Sequence, residues 1–191
     1  MSTIMIRDVP VKIDHPVDSW GGTGLHFPGL GRRTETRAVG IHWTGGRGHA
    51  EQVYDTLQQR KLSVQFCIDI DGTIYQFCDA SDRAEHIGTA NGWCVGIEIC
   101  NPADGQDNSR ETYREVIHGR AFRCSYFHPV QVIAARKLTQ TLCTAYGLPF
   151  QAPMASTVVP DLSTFRGVLG HFHVTRRKPD PGVRILRAIG A

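Results

Sequence analysis

The stretch "WCVGIEIC", residues 93–100, reads as a strand with two unlike faces. Side chains alternate along a strand, so every second residue shares a face. Val95, Ile97 and Ile99 lie on one side and suit burial against helices. Cys94, Gly96, Glu98 and Cys100 lie on the other: small residues around one carboxyl. "TRAVGIHW", 36–43, repeats the pattern. Val39, Ile41 and Trp43 share its bulky face, while Ala38, Gly40 and His42 share the small one. Each strand therefore carries one ionisable side chain near the C-terminal end of its small face. Small residues beneath His42 and Glu98 would leave room for a cleft. Taken singly, each strand fits better the commoner case, an antiparallel strand with its polar side in water. A third stretch, near the end of the chain, shifts that balance.

Working outward, "SVQFCIDIDGTIYQFC", 63–78, reads as a β-hairpin, with Asp71-Gly72 supplying the positive φ angles of its turn. Residues 49–60 place Ala50, Val53, Tyr54 and Leu57 on the stripe of an amphipathic helix. A second helix is expected from Pro129, a good first helical residue. It carries Ala135, Leu138, Leu142 and Ala145 on one face and ends at Gly147, a natural C-cap. "RGVLGHFHV", 166–174, reads as a last strand. The first 35 residues are rich in Gly and Pro and read as an irregular arm. Residues 101–128 read as a polar, irregular surface excursion. Uneven alternation of strands and helices predicts a single α/β domain over 36–191, with a mixed central β-sheet packed against helices.

The bulk properties exclude several classes. With 191 residues, of which 41% are hydrophobic and 20% charged, the chain can bury a substantial core. A net charge of +3 fits an anionic polymer as partner, but no run of cations suggests nucleic acid. No apolar stretch is long enough for a membrane span. The start "MSTIMIRDVPVKIDHP" lacks the charged-then-apolar pattern of a secretory signal. Six cysteines, at 67, 78, 94, 100, 124 and 143, form no CxxC pair, so a structural zinc knuckle is not expected and free thiols are. A monomer is the default expectation.

The third stretch is "GHFHVTRRKPDPG", 170–182. A residue before proline is pushed into extended geometry. Lys178 precedes Pro179 and Asp180 precedes Pro181, so both are expected to be extended and, being two apart, to face one side. His171 stands at a strand end after Gly170, as His42 does at the end of its own strand. A salt-bridged basic turn would explain Lys178 alone. It would not explain a carboxylate set between two prolines beside a strand-end histidine. Histidine and carboxylate suit a catalytic zinc, which takes three protein ligands and keeps one open position. An ammonium beside such a centre suits stabilisation of a developing oxyanion. By parity His171 and His173 both qualify; the adjacent Gly170 favours His171 weakly.

In this order, "GIHWT", "CIDIDGTIYQF", "RAEHIG", "VGIEICN" and "GHFHVTRRKPDPG" resemble the zinc-dependent N-acetylmuramoyl-L-alanine amidases, which share a fold with peptidoglycan recognition proteins. The resemblance runs from about Ala38 to Gly182. It implies His42, His171 and Asp180 as ligands of one Zn2+, with His171 rather than His173. It implies Glu98 as the base that takes a proton from the attacking water, and Lys178 as an oxyanion stabiliser. It places His86 and Asn91 along the substrate groove. The implied partner is peptidoglycan or a muropeptide, the implied reaction hydrolysis of the amide joining N-acetylmuramic acid to L-alanine, and the implied setting the cell wall, as for phage endolysins and other bacteriolytic enzymes. The alternatives are a non-catalytic recognition module, which typically lacks a ligand such as Asp180, and a recycling amidase acting on anhydro-muropeptides. There are departures. Gln65 stands where many members have histidine, and Val64 where some phage members carry a catalytic tyrosine, which leaves Glu98 as sole base. Glu85 replaces a commonly aromatic residue, and the step from His171 to Asp180 is one residue shorter than in many relatives.

Overall fold

The protein is described here from a computed structural model, which covers residues 2–16, 27, 31–102 and 110–191. A hairpin, β1 (Ser2–Ile6) and β2 (Val9–Ile13), precedes the central sheet. That sheet comprises β3 (Ala38–Gly45), β4 (Phe66–Ile68), β5 (Ile74–Gln76), β6 (Cys94–Pro102) and β9 (Gly167–Gly170), in the order β5-β4-β6-β3-β9. A second hairpin, β7 (Thr112–Ile117) and β8 (Arg120–Ser125), stands apart. The helices are α1 (Ala50–Gln59), α2 (Pro129–Tyr146) and α3 (Val183–Ile189).

The sheet is mixed. β3 pairs in parallel with β6 and β9, β4 pairs in parallel with β6, and only the β4–β5 hairpin is antiparallel. Parallel strands are covered on both faces, and all nine residues of β6 are buried. The half-exposed antiparallel reading of β3 and β6 is thereby excluded. On one face Val39, Ile41, Val95, Ile97 and Ile99 pack with Ala135, Leu138 and Leu142 of α2 and Leu186 of α3. Each such side chain contributes roughly 1.5–3 kcal/mol when fully buried. On the other face Cys67, Phe77 and Cys100 pack with Ala50, Val53 and Tyr54 of α1. Next to them, Ala38, Cys94 and Leu169 pack with Ile87 and Ala90. The site lies on this second, small-residue face.

The punctuation of α2 follows its sequence. Pro129 opens it, the backbone N–H of His128 donates to Gln131 Oε1 at 3.1 Å, and Gly147 ends it in the left-handed region at φ 61°.

Three expectations need correction. The arm over 1–35 is not irregular throughout. Its first residues form the β1–β2 hairpin, turning through Arg7 and Asp8 at positive φ and burying Ile6, Val11 and Ile13 in the α2-side core. Pro10 obscured the alternation, although Pro is tolerated on such edge strands. The Gly- and Pro-rich remainder, 17–26 and 28–30, lies outside the described residues, as does 103–109. The excursion 101–128 is likewise not irregular. It holds the β7–β8 hairpin, turning at His118 and Gly119, with Tyr113, Ile117 and Cys124 turned inward. Arg114, Arg120 and Arg123 on its exposed positions made the segment read as polar loop. Finally, the last strand stops at Gly170, and His171–His173 form a single 3-10 turn. Helix α3 adds a fourth finding, an element with no counterpart in the sequence reading.

Candidate metal centre and cleft

Three side chains converge where strands β3 and β9 end. His42 Nδ1 lies 3.2 Å from His171 Nδ1 and 3.3 Å from Asp180 Oδ2, and His171 Nδ1 lies 3.4 Å from that same oxygen. These are separations that a four-coordinate zinc requires: bonds of about 2.0–2.1 Å set ligand atoms ~3.3 Å apart on a tetrahedron. The donor set, two imidazoles and one carboxylate, is of the right chemistry. His42 and Asp180 are buried and His171 is partly buried, so the charge has protein partners rather than bulk water. Burial by itself would raise the Asp180 carboxyl. Close contact with the imidazoles of His171 and His42 outweighs it and holds Asp180 well below the usual carboxylate range. Burial lowers the pKa of His42, with Asp180 acting against it. A buried carboxylate between two imidazoles is a ready cation site.

Glu98 stands directly opposite His42 in the β3–β6 register. No described residue hydrogen-bonds its carboxyl, which opens onto a cleft of about 360 Å³. Burial pushes Glu98 up to about 8, helped by the charge of Asp180 and opposed by Lys178 and Arg60. Lys178 is exposed at the mouth of the same cleft, beside Asp180. Lys178 and Asp180, expected on one side of "KPD", both line this cavity.

His173 goes elsewhere. The 3-10 turn rotates it out of the parity expected of a strand. Its ring is fully buried, tilted at 45° against Phe172 with the centroids 4.0 Å apart, and Nδ1 accepts the Gly170 N–H at 3.0 Å. It lines no part of the cleft.

His86 and Asn91 both line the cleft, but their polar atoms are engaged within the fold. Asn91 Oδ1 accepts the backbone N–H groups of His86 at 3.0 Å and Ile87 at 2.7 Å. Its Nδ2 donates to Glu85 Oε2 at 2.6 Å. His86 lies across the small-residue face. A Cβ on Gly96 would stand 2.6 Å from His86 Nδ1, and one on Gly40 would stand 2.9 Å from Ile87 Cδ1. The glycines thus admit the 86–87 segment, where open space was expected. Burial lowers the His86 pKa well below its ordinary value, with His42 adding to it.

The cysteines are free and buried. Burial pushes Cys94 up to about 12, so its thiol is not a nucleophile near neutral pH. Cys67 and Cys100 lie Sγ to Sγ at 3.7 Å beneath the site. Gln65 serves the sheet: its Oε1 accepts the Gly96 N–H and its Nε2 donates to the Asp82 carbonyl, both at 2.7 Å. Trp43, Arg47 and Arg60 also line the cleft and were not anticipated. Their only sequence signals were nearness to His42 and to the ends of α1.

A buried His-His-Asp triangle facing a carboxyl and an ammonium across a cleft is the outline of a metal-assisted hydrolase. The family description "N-acetylmuramoyl-L-alanine amidase" matches residues 32–183, and the chain belongs to that family. Its activity is hydrolysis of the bond between N-acetylmuramic acid and L-alanine. A comparison with curated proteins found no match. Among solved structures, AmpD is similar with a TM-score of 0.58 and 17% identity, over 95% of this chain and 96% of that one. AmiD from E. coli, solved with the substrate anhydro-N-acetylmuramic acid-L-Ala-D-gamma-Glu-L-Lys, is similar at 0.56 and 19% identity, over 81% of this chain and 57% of that one. The Drosophila peptidoglycan recognition protein SA is similar at 0.56 and 18% identity, over 91% and 88%. These likenesses establish the shared fold, the peptidoglycan recognition protein-like one. Among the described residues no helix is long and apolar enough to cross a membrane.

Proposed function

We propose that the chain performs its amidase reaction as a zinc enzyme, with Zn2+ held by His42 Nδ1, His171 Nδ1 and Asp180 Oδ2. The observation that carries this reading is the triangle of 3.2, 3.3 and 3.4 Å between those atoms, which the metal would fill without rearrangement. Bound there, zinc would supply the Lewis acidity that brings the pKa of water from about 15.7 to about 7. Everything else falls to the protein. Glu98 accepts the proton of the attacking water and returns it to the departing amine of L-alanine, base then acid. Burial raises its carboxyl in the metal-free protein, which suits the return of the proton, and the charge of a bound cation would favour the ionised form that accepts it. Lys178, exposed at the cleft mouth, holds the negative charge that develops on the carbonyl oxygen. Asn91 and His86 serve the groove by fixing the 85–91 loop.

The retention of Asp180 and Glu98 together supports catalysis over recognition alone. AmiD binds a muropeptide, and a peptidoglycan-derived substrate is proposed for this cleft also. The wall-degrading, bacteriolytic role predicts clearing of a suspension of purified sacculi. The experiment for the metal is direct. Purified protein should carry close to one zinc per chain, and Glu98→Ala should keep that zinc while losing cleavage. A folded, active protein without metal would refute the proposal.

A further inference from the structure

His42 offers Nδ1 to the centre, so its other ring nitrogen needs a partner. That nitrogen, Nε2, lies 2.9 Å from His86 Nδ1, with the rings edge-on at 78°. His86 Nε2 in turn lies 3.3 Å from the carbonyl oxygen of Cys94. The three groups fix one another's hydrogens. A backbone carbonyl only accepts, so Nε2 of His86 carries the hydrogen. A neutral imidazole protonated at Nε2 presents a lone pair at Nδ1. The nitrogen facing that lone pair must donate, so His42 is protonated at Nε2. Its own lone pair is then at Nδ1, the atom facing His171 and Asp180.

We infer that His86 is a positioning residue that selects the Nε2–H tautomer of His42 and aims the Nδ1 lone pair at the metal. The inference rests on reading the His42, His171 and Asp180 cluster as a metal centre. Metal-bound histidines generally donate their second N–H to a carboxylate, carbonyl or water. Here a second histidine stands between the ligand and the carbonyl and extends the chain by one ring. The surroundings hold it in place. Gly96 leaves room for the ring, Val64 closes beside it, and Asn91 ties down its backbone N–H. A side chain kept only to contact substrate would not need both of its nitrogens engaged behind the ligand.

Two measurements test this. In the zinc-loaded wild-type protein, two-bond proton–nitrogen spectra of the imidazoles should show both His42 and His86 protonated at Nε2. A His86 ring protonated at Nδ1 would overturn the inference without any mutation. Second, zinc affinity is read by competition with a chromophoric chelator. His86→Leu keeps apolar bulk over Gly96 but removes the acceptor, and should weaken zinc about 10- to 100-fold. His86→Asn restores an oxygen near the place of Nδ1 and should recover most of that loss. Unchanged affinity in His86→Leu overturns the inference. Should that variant fold poorly, an affinity for His86→Asn no better than for His86→Ala would do the same. Failure of the underlying metal reading looks different: wild-type protein itself would then bind no zinc.

Discussion

Replacing Glu98 by glutamine keeps the shape of the side chain and removes its titration. Burial raises this carboxyl from an ordinary value near 4.5 to about 8 in the folded, metal-free protein. The folded state therefore keeps a proton that the unfolded chain has already released. Stability from this site is intact below about pH 4.5 and is lost as the pH rises through about 8. At about 1.4 kcal/mol per pH unit, the interval amounts to about 5 kcal/mol. Glu98→Gln has no such loss, so chelator-treated variant and wild type should diverge across this window, with the variant increasingly the more stable. Urea unfolding followed by circular dichroism at a series of pH values measures the difference directly. The same variant should lose about 10²- to 10⁴-fold in turnover. A more stable and inactive protein is what a functional group held against its own solvation produces. Wild-type and variant stabilities that run parallel from pH 5 to 8 would refute the reasoning, because Glu98 would then not be kept neutral by burial.

Three further outcomes follow from the geometry. Lys178→Ala should leave zinc content and melting temperature unchanged, since the side chain is exposed, yet lower kcat by about 10²- to 10³-fold, as loss of an oxyanion donor does; steady-state kinetics on a muropeptide read this. Gly96→Ala places a methyl 2.6 Å from the His86 ring and should cost about 1–3 kcal/mol in chemical unfolding, with zinc affinity reduced as well. Ile13→Ala should cost about 2–5 kcal/mol, because Ile13 is fully buried in the α2-side core; a cost near zero would mean that the β1–β2 hairpin is not part of the fold.

What was legible in the sequence was local and periodic. The two-faced patterns of β3 and β6 picked out His42 and Glu98 because both strands are central, with β6 buried throughout and β3 buried as far as His42. The helix over 129–146 was readable from its own stop signals, Pro129 and Gly147. Residues before proline could be placed with Asp180 and Lys178 on one side, and both line the cleft. The direction of the pairing was not legible, since alternation is the same in parallel and antiparallel strands. Nor was the fate of His173, because parity arguments fail where a strand gives way to a 3-10 turn. The hairpins at both margins were hidden for opposite reasons: proline interrupted the pattern of β2, and charged outward residues diluted that of β7 and β8. The engagement of His86 with His42 is a contact across 44 residues of sequence, and no local periodicity encodes it. On β6's small face Gly96 encodes no open space, because the His86 ring fills it.

The central claim, hydrolysis of one particular amide by this centre, is tested most directly by digesting purified peptidoglycan and identifying the products by mass spectrometry. Free stem peptides beginning with L-alanine should accumulate with the glycan strands uncut, and addition of a zinc chelator should abolish them. Cleaved sugars, peptides cut at another bond, or undiminished release of L-alanine peptides in excess chelator would contradict it.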